Sequence, residues 1–346
     1  MLQKTLIYTF IIILATSLSA CGPAREADLP IPDKIQGYEI LEADRLPDDN
    51  YIKVGYITPG DHGNWEEALG QSIEDVFTET NGYKLFVEFG EAHPETQYMH
   101  FGSFLSKGMD YIIVYPNHHI FDETLLEEAK DLGIPVFFVC SLPDISDENL
   151  YTCFVINDFL HEGEQAAEWL DAYLKSIGRG EDLINIVYIQ GLEDAQAAQV
   201  GRTDGITRGI NNHDNWNLLE SRHGNWLKDS GQEVMEYFIN EYSDINVLFA
   251  QNDYMALGAV EAMKNEGIKP GDDIIIVSLD GIRDALTAIE NGEINATVET
   301  SSNYGLKIAE LIHRLECHET IDKVEYLKGR VFDWTNAGSE LPLRPY

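Results

Sequence analysis

The sequence predicts an α/β fold of two similar, doubly wound lobes, each built on a parallel sheet. Three observations support this prediction. Short apolar runs alternate with longer helical patterns, which is typical of βαβ units. The run at residues 111–115 is almost wholly apolar, as expected of a strand with helices on both faces. The alternation occurs in two consecutive sets, and 346 residues are enough for two domains.

The first set of elements predicts an N-terminal lobe at residues 51–158. Its strands are expected at residues 51–57, 84–88, 111–115, 136–139 and 151–156. Its helices are expected at residues 64–80, 93–107 and 124–131, and a further helix at 158–174 leads toward the second lobe. We expect a segment near residues 281–300 to complete this lobe.

The second set predicts a C-terminal lobe at residues 159–280. Its strands are expected at residues 184–189, 216–221, 247–250 and 274–277, and its helices at residues 196–210, 232–242 and 254–265. A Lys-Pro-Gly-Asp sequence at residues 269–272 predicts a turn into the last of these strands. We expect a segment near residues 300–335 to complete this lobe.

The N-terminus has the pattern of a secretory signal peptide at residues 1–20. Lys4 is its only charge, and the apolar run at residues 6–18 is too short for a comfortable membrane-spanning helix. Residues 18–21, Leu-Ser-Ala-Cys, resemble the bacterial lipobox, in which Cys21 is lipidated and begins the mature chain. An ordinary signal peptide with an incidental cysteine is the alternative. Residues 21–50, rich in Pro, Asp and Glu, then predict a lipidated cysteine followed by a tether.

The composition is strongly acidic. Asp and Glu number 60 against 23 Lys and Arg, which gives a formal net charge of −37. A nucleic-acid binder requires a basic footprint, and binding to an anionic membrane surface requires a basic patch, so the composition argues against both classes. The expected contact with a membrane is through the lipid anchor only.

No motif for a metal, a cofactor or an enzyme stands out. Cys140, Cys153 and Cys317 lack the spacing of a zinc site, and the sequence has no nucleophile elbow, phosphate-binding loop or HExxH motif. We therefore expect no enzyme activity, no cofactor and no metal. Cys140 and Cys153 fall in strand-like runs, which leaves open either a disulfide or two buried free thiols.

Polar residues and one aromatic residue follow the predicted strands. In open α/β sheets ligands bind beyond the carboxyl ends of the strands, so these residues are candidates for ligand contacts. Amides and carboxylates beside an aromatic ring suit a neutral, polyhydroxylated ligand. For Asn64, Asp158 and Asp253 the alternative is a helix N-cap. The candidates are Asn64, Trp65, Asn117, Asp158, Asn252, Asp253, Asp280 and Glu299.

A resemblance to a known family rests on several short segments. They are Gly63-Asn64-Trp65, Asn-Asp-x-Met-Ala-x-Gly-Ala at residues 252–259, Asp280-Gly281, and the segments 108–114, 133–136, 201–205 and 295–299. From about residue 50 to residue 330, the chain resembles the type I periplasmic sugar-binding proteins of ABC importers. It is most similar to their galactofuranose-binding branch.

The resemblance implies roles for particular residues. Trp65 would stack on the sugar, and Arg202 would hold sugar hydroxyls from the second lobe. Further polar contacts would come from Asn252, Asp253, Asp280 and Glu299. Two lobes joined by crossovers near Asp158, Leu279 and Glu299 would close over the ligand by hinge bending, and a permease would recognise the closed form.

One segment departs from the family pattern. Relatives often have an Asp-Arg pair after the fourth strand, where this chain has Cys140-Ser141-Leu142. Because an arginine offers a planar fork of five donors, its loss leaves open a ligand other than the family's usual sugar. His118 and His119, near the same rim, either compensate for this loss or are solvent-exposed loop residues.

The function predicted from the sequence is a lipid-anchored extracytoplasmic solute-binding protein. It would capture a monosaccharide or small sugar between two lobes and deliver it to the permease of an ABC importer, as an exported monomer. The alternative is a lipoprotein of the same fold that reports ligand to a histidine kinase or chemoreceptor. A transcriptional regulator of this fold would need a basic helix-turn-helix headpiece, and the predicted signal peptide and acidic residues stand in its place.

Overall fold

Strands and helices alternate along the chain in the computed structural model, which describes residues 34–35, 38–39, 51–59, 64–90, 93–193 and 197–346. The strands are β1 (Lys34–Ile35), β2 (Tyr38–Glu39), β3 (Ile52–Thr58), β4 (Tyr83–Phe89), β5 (Tyr111–Val114), β6 (Val136–Val139), β7 (Cys153–Asn157), β8 (Ile184–Gln190), β9 (Trp216–His223), β10 (Val247–Ala250), β11 (Ile275–Asp280), β12 (Ala296–Glu299), β13 (Val324–Leu327) and β14 (Val331–Asp333). The helices are α1 (Asn64–Val76), α2 (Pro94–Lys107), α3 (Glu123–Asp131), α4 (Phe159–Ser176), α5 (Ala197–Asn211), α6 (Lys228–Glu241), α7 (Asp253–Asn265), α8 (Arg283–Glu290), α9 (Tyr304–Glu316) and α10 (Ala337–Glu340).

Several N-terminal predictions lie outside the described residues. The expected signal peptide at residues 1–20, Cys21 and most of the tether fall there. Within the tether, β1 pairs with β2 in antiparallel orientation. Among the described residues, no helix combines the length and the apolar character needed to cross a membrane.

The chain divides into two compact units. Unit 1 runs to Ile156 and includes Ser302–Leu327, and unit 2 comprises Asn157–Ser301 and Lys328–Tyr346. The segments that complete each unit differ from the expectation: the segment near 281–300 belongs to unit 2, and most of the segment near 300–335 belongs to unit 1. Strand pairing gives the reason, because β12 pairs with β11 inside the second sheet, whereas Ile308 of α9 is buried in a core of unit 1.

The two sheets repeat the same strand order. The sheet of unit 1 reads β13-β7-β6-β5-β3-β4, and that of unit 2 reads β14-β12-β11-β10-β8-β9. Strands β3 to β7 pair in parallel, as do β8 to β12, while β14 is antiparallel to β12. In each sheet the chain order reverses beside the first strand, which is the point where doubly wound folds bind ligands. The predicted fold class is confirmed.

The apolar strands of unit 1 are buried on both faces. Ile113 and Phe137 belong to one apolar cluster, whereas their strand neighbours Ile112 and Phe138 belong to another. Successive strand residues point to opposite faces, so a strand between two helical layers must be apolar at nearly every position. This explains the continuous apolar runs in the sequence.

A few element boundaries differ from the sequence prediction. Helix α1 ends at Val76 rather than residue 80, and residues Glu79–Asn81 form a 3₁₀ helix that ends at Gly82 with φ of +87°. Helix α6 begins at Lys228, four residues before the predicted start, because its first turn is polar and lacks the apolar period on which the prediction relied.

Candidate functional site

The candidate site of unit 2 lies at the carboxyl ends of four adjacent strands. In the order β12-β11-β10-β8, these ends lead to Thr300, Asp280, Gln251 and Gly191. Because neighbouring parallel strands end at one edge of a sheet, the residues that follow them lie side by side. Helix α5 brings Arg202 to the same edge.

Arg202 is buried, with 3% of its surface exposed, and it joins these strand ends through hydrogen bonds. Its Nη2 donates to Asp280 Oδ1 at 2.7 Å and to Thr300 Oγ1, and its Nη1 donates to the carbonyl oxygen of Gln251. Its Nε donates to Glu162 Oε2 at 3.0 Å. Burial opposes the charge, yet Asp280 and Glu162 together raise the pKa of Arg202 above its ordinary value, so it is a fixed cation.

Asp280 is the more accessible partner in this arrangement, with 22% of its side chain exposed. Its Oδ1 also lies 3.3 Å from Thr300 Oγ1, whose one proton is shared between Asp280 and Glu162. Burial raises the pKa of Asp280, although Arg202 lowers it. The backbone turns sharply here: Asp280 has φ of +113° and Gly281 has φ of +72°, and a Cβ at Gly281 would lie 2.9 Å from the Phe332 ring. The turn therefore requires glycine after Asp280.

Glu162 was not predicted from the sequence as a site residue. It lies in the first turn of α4 and is 2% exposed. Its Oε2 accepts from Arg202 Nε at 3.0 Å and from Thr300 Oγ1 at 3.2 Å. Burial is the main cause that raises the pKa of Glu162 to about 7, against the lowering effect of Arg202. The sequence carried no signal for it, because an acid inside an amphipathic helix is usually a surface residue.

Asn252 and Asp253 both organise the start of α7. Asn252 caps the helix by accepting from the Met255 backbone N–H at 2.9 Å. Asp253 is fully buried, and its carboxylate accepts from the hydroxyls of Ser278 and Thr297 and from the Ile282 N–H. Burial, with a smaller contribution from Asp280, raises the pKa of Asp253 to about 7. The helix cap considered for Asp253 is thus Asn252 instead, and Asp253 ties α7 to β11 and β12.

Glu299 is engaged by two arginines of unit 2. Its Oε1 accepts from Arg344 Nη1, and its Oε2 lies 3.4 Å from Arg330 Nε. Arg344 in turn donates to the hydroxyl of Tyr346 at 2.6 Å. The C-terminal residues therefore bind the carboxylate that was expected to contact the ligand. Sequence reasoning missed them because they are distant in the chain from Glu299.

An aromatic residue beside Arg202 was also missed. The Trp226 ring lies 5.9 Å from the Arg202 guanidinium, and a Cβ at Gly191 would lie 2.0 Å from this ring. Asn225 and Trp226 both have positive φ, of 55° and 63°, which is uncommon outside glycine and is often found at functional sites. The signal was present in the sequence, because Trp226 follows a strand just as Trp65 does.

Asp158, at the start of α4, acts as a helix cap. Its side chain accepts from the His161 N–H at 3.1 Å. The next residue, Phe159, has its ring 5.4 Å from the Arg202 guanidinium. Arg202 is thus flanked by the two aromatic rings of Phe159 and Trp226.

In unit 1 the expected aromatic residue is at the start of α1. Trp65 is half-buried, and its ring packs edge-on against Tyr304 with centroids 6.1 Å apart. It contacts the apolar core of this unit. Asn64 is the first residue of α1, and its side chain lies outside the described part of the structure.

Asn117 follows β5 and is linked to α2. Its backbone N–H donates to Gln97 Oε1 at 3.2 Å, and its Nδ2 donates to the Gly90 carbonyl at 3.4 Å. Gln97 is buried and donates to the Tyr115 carbonyl at 2.9 Å. His118 and His119 are exposed and stack on each other with centroids 4.2 Å apart.

Cys140 directly follows β6 and lies in the left-handed region, with φ of +64°. Burial raises the pKa of its thiol, which is hydrogen-bonded to Tyr304 and Tyr115. Cys140 and Cys153 are both free thiols, so the disulfide left open by the sequence is absent. In the described part of the chain, no group of three or more His, Cys, Asp or Glu side chains is placed to hold a metal ion.

The charges of unit 2 set what this arrangement can bind. Glu162 and Asp280 share one buried guanidinium, and Asp253 lies near Asp280, so the site offers carboxylate acceptors held rigidly by Arg202 and an aromatic ring beside them. Such a surface suits a neutral ligand with hydroxyl donors and apolar faces better than an anion.

Comparison with known proteins gives a consistent result. The sequence matches a family described as periplasmic binding protein domain over residues 54–315. It is 34% identical over 255 residues to the galactofuranose-binding protein YtfQ of Escherichia coli (strain K12), covering 73% of this chain and 78% of that protein. The predicted resemblance is therefore confirmed, and so is the expectation of a binding protein without enzyme activity.

Two solved structures are similar in fold and sequence. One is the periplasmic binding protein component of the arabinose ABC transporter from Shewanella sp. ANA-3 bound to L-arabinofuranose, with 30% identity, a TM-score of 0.68, and coverage of 84% of this chain and 95% of that chain. The other is a protein from Mycobacterium smegmatis in complex with β-D-fucofuranose, with 30% identity, a TM-score of 0.66, and coverage of 84% and 94%.

Proposed function

Because the chain belongs to the periplasmic binding protein domain family, we propose that it is a lipid-anchored, exported protein that binds a monosaccharide and delivers it to an ABC importer. Binding of a small sugar requires no chemical step. Importer delivery is favoured over kinase sensing, because the relative from Shewanella sp. ANA-3 is named as a component of an ABC transporter.

The observation that carries this proposal is the Asp280 carboxylate held by Arg202 at the ends of the strands of unit 2. An ionised carboxylate accepts hydrogen bonds from hydroxyls, and those bonds are stronger than bonds between neutral groups. The Trp226 ring beside Arg202 offers an apolar face, as the C–H face of a sugar ring requires. In unit 1, Trp65 and Asn117 are the proposed contacts.

A furanose is the proposed ring form of the ligand. Galactofuranose, arabinofuranose and fucofuranose are the ligands named for the three relatives. These sugars differ in their exocyclic groups and share a five-membered ring. We therefore propose selection for the ring form, with the exact sugar decided by contacts to the exocyclic group.

The test uses sugars whose ring form is locked. Methyl β-D-galactofuranoside and methyl β-D-galactopyranoside are titrated into the purified protein by isothermal calorimetry, with the arabinose and fucose pairs alongside. Binding of the furanosides at least tenfold tighter than the matched pyranosides supports the proposal. Equal affinities would contradict selection for the ring form, and no binding of any sugar would contradict the proposed function.

The lipid anchor is proposed from the Leu-Ser-Ala-Cys sequence at residues 18–21. Mass spectrometry of the protein isolated from membranes should find diacylglycerol on Cys21 as the first residue. The Cys21→Ser variant should appear in the soluble fraction. An unmodified Cys21 in membrane-extracted protein would contradict this part of the proposal.

A further inference from the structure

We propose that Glu162 is a positioning residue of the sugar site, acting through Arg202, and that its proton makes sugar affinity depend on pH near neutrality. This inference rests on the proposed function, because sugar affinity is its main readout. Glu162 sits behind Arg202 and is 2% exposed, so it acts on the ligand only through its neighbours.

The hydrogen bonds of Arg202 show what Glu162 does. A guanidinium has one N–H at Nε and two at each Nη. Nε donates to Glu162, Nη1 to the Gln251 carbonyl, and Nη2 to both Asp280 and Thr300. Because the fork is planar, fixing Nε fixes the direction in which Nη2 holds the Asp280 carboxylate. Glu162 therefore sets the orientation of the acceptor that faces the sugar.

The charges around Glu162 do not balance. Helix α4 contributes Glu162, α5 contributes Arg202 and β11 contributes Asp280. Asp253 of α7 acts on Asp280. The other cation that acts on Asp280 is Arg344, and Arg344 is itself paired with Glu299. The neutral groups facing the cluster are the hydroxyls of Thr300 and, from β8, Tyr188. Two carboxylates, Glu162 and Asp280, thus compete for one buried guanidinium, and Asp253 adds a further negative charge beside Asp280, which favours retention of a proton.

The second oxygen of Glu162 indicates where that proton resides. Oε1 is buried and has no hydrogen-bond partner among the described residues. A charged oxygen in this position would be costly, whereas the neutral acid removes the charge. Burial accordingly raises the pKa of Glu162 to about 7.

The direction of the pH effect follows from desolvation. A sugar that covers Asp280 excludes water from the cluster, which disfavours charged carboxylates further and favours proton uptake on binding. By linkage, affinity then falls as pH rises through the pKa of Glu162. Uptake of one proton limits the change in sugar affinity to about tenfold per pH unit. We expect sugar affinity to fall by roughly threefold to thirtyfold between pH 6 and pH 8.

The experiment compares three variants by calorimetry between pH 6 and pH 8. Glu162→Gln mimics the neutral acid and should bind sugar with a flat pH profile. Glu162→Asp keeps a titrating carboxyl and should keep a slope. Glu164→Gln is the matched control on α4, since Glu164 pairs at the surface with Arg208 and should leave the wild-type profile unchanged. An unchanged slope in Glu162→Gln would overturn the inference, even if its affinity were lower at every pH.

A second measurement separates this inference from the proposed function. If the wild type binds no sugar at any pH, the proposed function fails, and the proton is then followed in the ligand-free protein. The difference in free energy of unfolding between wild type and Glu162→Gln should vary between pH 5 and pH 8. A constant difference would show that Glu162 does not titrate there and would overturn the inference on its own.

Discussion

Arg202 Nη2 lies 2.7 Å from Asp280 Oδ1, and the two residues are 78 positions apart in the chain. Arg202 comes from a helix and is buried, whereas Asp280 ends a strand and remains partly exposed. The two residues have different roles: Arg202 supplies a fixed positive charge, and the Asp280 carboxylate presents a hydrogen-bond acceptor. In the proposed sugar site, Asp280 is therefore the direct contact, and Arg202 holds it in place.

Replacing Asp280 should test its role as the direct contact of the sugar. Asp280→Asn removes the charge but keeps the shape, so we expect a loss of about 1.5–3 kcal/mol in binding, or roughly tenfold to 150-fold in Kd. Calorimetry with the best furanoside measures the effect, with circular dichroism as the control for folding. Wild-type affinity in Asp280→Asn would show that the carboxylate does not contact the sugar.

Replacing Arg202 should affect folding as well as binding. Arg202→Ala leaves Glu162 and Asp280 without their buried cation, which typically costs about 3–5 kcal/mol of stability. Urea unfolding at pH 7 measures this loss. Arg208→Ala, on the same helix but in an exposed ion pair, is the control and should change stability by less than about 1 kcal/mol. Equal effects in the two variants would contradict the buried role.

Trp226 should contribute to sugar affinity through its ring. We expect Trp226→Ala to weaken furanoside binding by about fivefold, since an aromatic contact is worth on the order of 1 kcal/mol. Trp334→Ala is the control, because Trp334 is exposed in the same unit and packs against Trp169 and Tyr173 rather than Arg202. If both variants kept wild-type affinity, Trp226 would not be a sugar contact.

Gly191 should be required for the position of Trp226. A methyl group at Gly191 would overlap the Trp226 ring, so Gly191→Ala should displace the ring and lower furanoside affinity. Gly70→Ala is the matched change in unit 1: it meets no atom within 4 Å in helix α1 and should raise stability by up to about 1 kcal/mol. Unaltered affinity in Gly191→Ala would contradict the role of this contact.

The free energy of unfolding should fall as pH rises from about 5 to about 8. Glu162 and Asp253 have a pKa of about 7 in the folded chain, above the ordinary values of 4.5 and 3.8. Between those values the folded state binds more protons than the unfolded state, so raising the pH favours unfolding. The two groups together account for a few kcal/mol, on the order of 3 for each as an upper limit.

Urea unfolding at pH 5, 6, 7 and 8 measures this slope. Glu162→Gln and Asp253→Asn should each reduce it. Carboxyls with a lowered pKa, such as Glu325, act in the acid range below 4.5 and do not oppose the trend. A stability that rises between pH 5 and pH 8 would contradict the assignment of both protons.

The sequence by itself determined the fold class and most elements, because these depend on local patterns. Continuous apolar runs mark strands covered on both faces, and the residues after them mark the ligand edge. This reasoning found Asp280 and Arg202, the latter through the family resemblance. The reasoning missed Trp226, although this residue also follows a strand end in the sequence.

Only the tertiary structure decided which side chains meet and which face outward. Glu162 has the sequence pattern of an ordinary surface acid of a helix, yet it is buried behind Arg202. Glu299 was predicted as a ligand contact, and the structure adds its ion pairs with Arg344 and Arg330, which the sequence did not predict. The path of residues 281–327 likewise depended on strand pairing rather than on chain order. The physical reason is that periodicity reports the neighbours of a residue along the chain, whereas ion pairs and burial depend on contacts between distant segments.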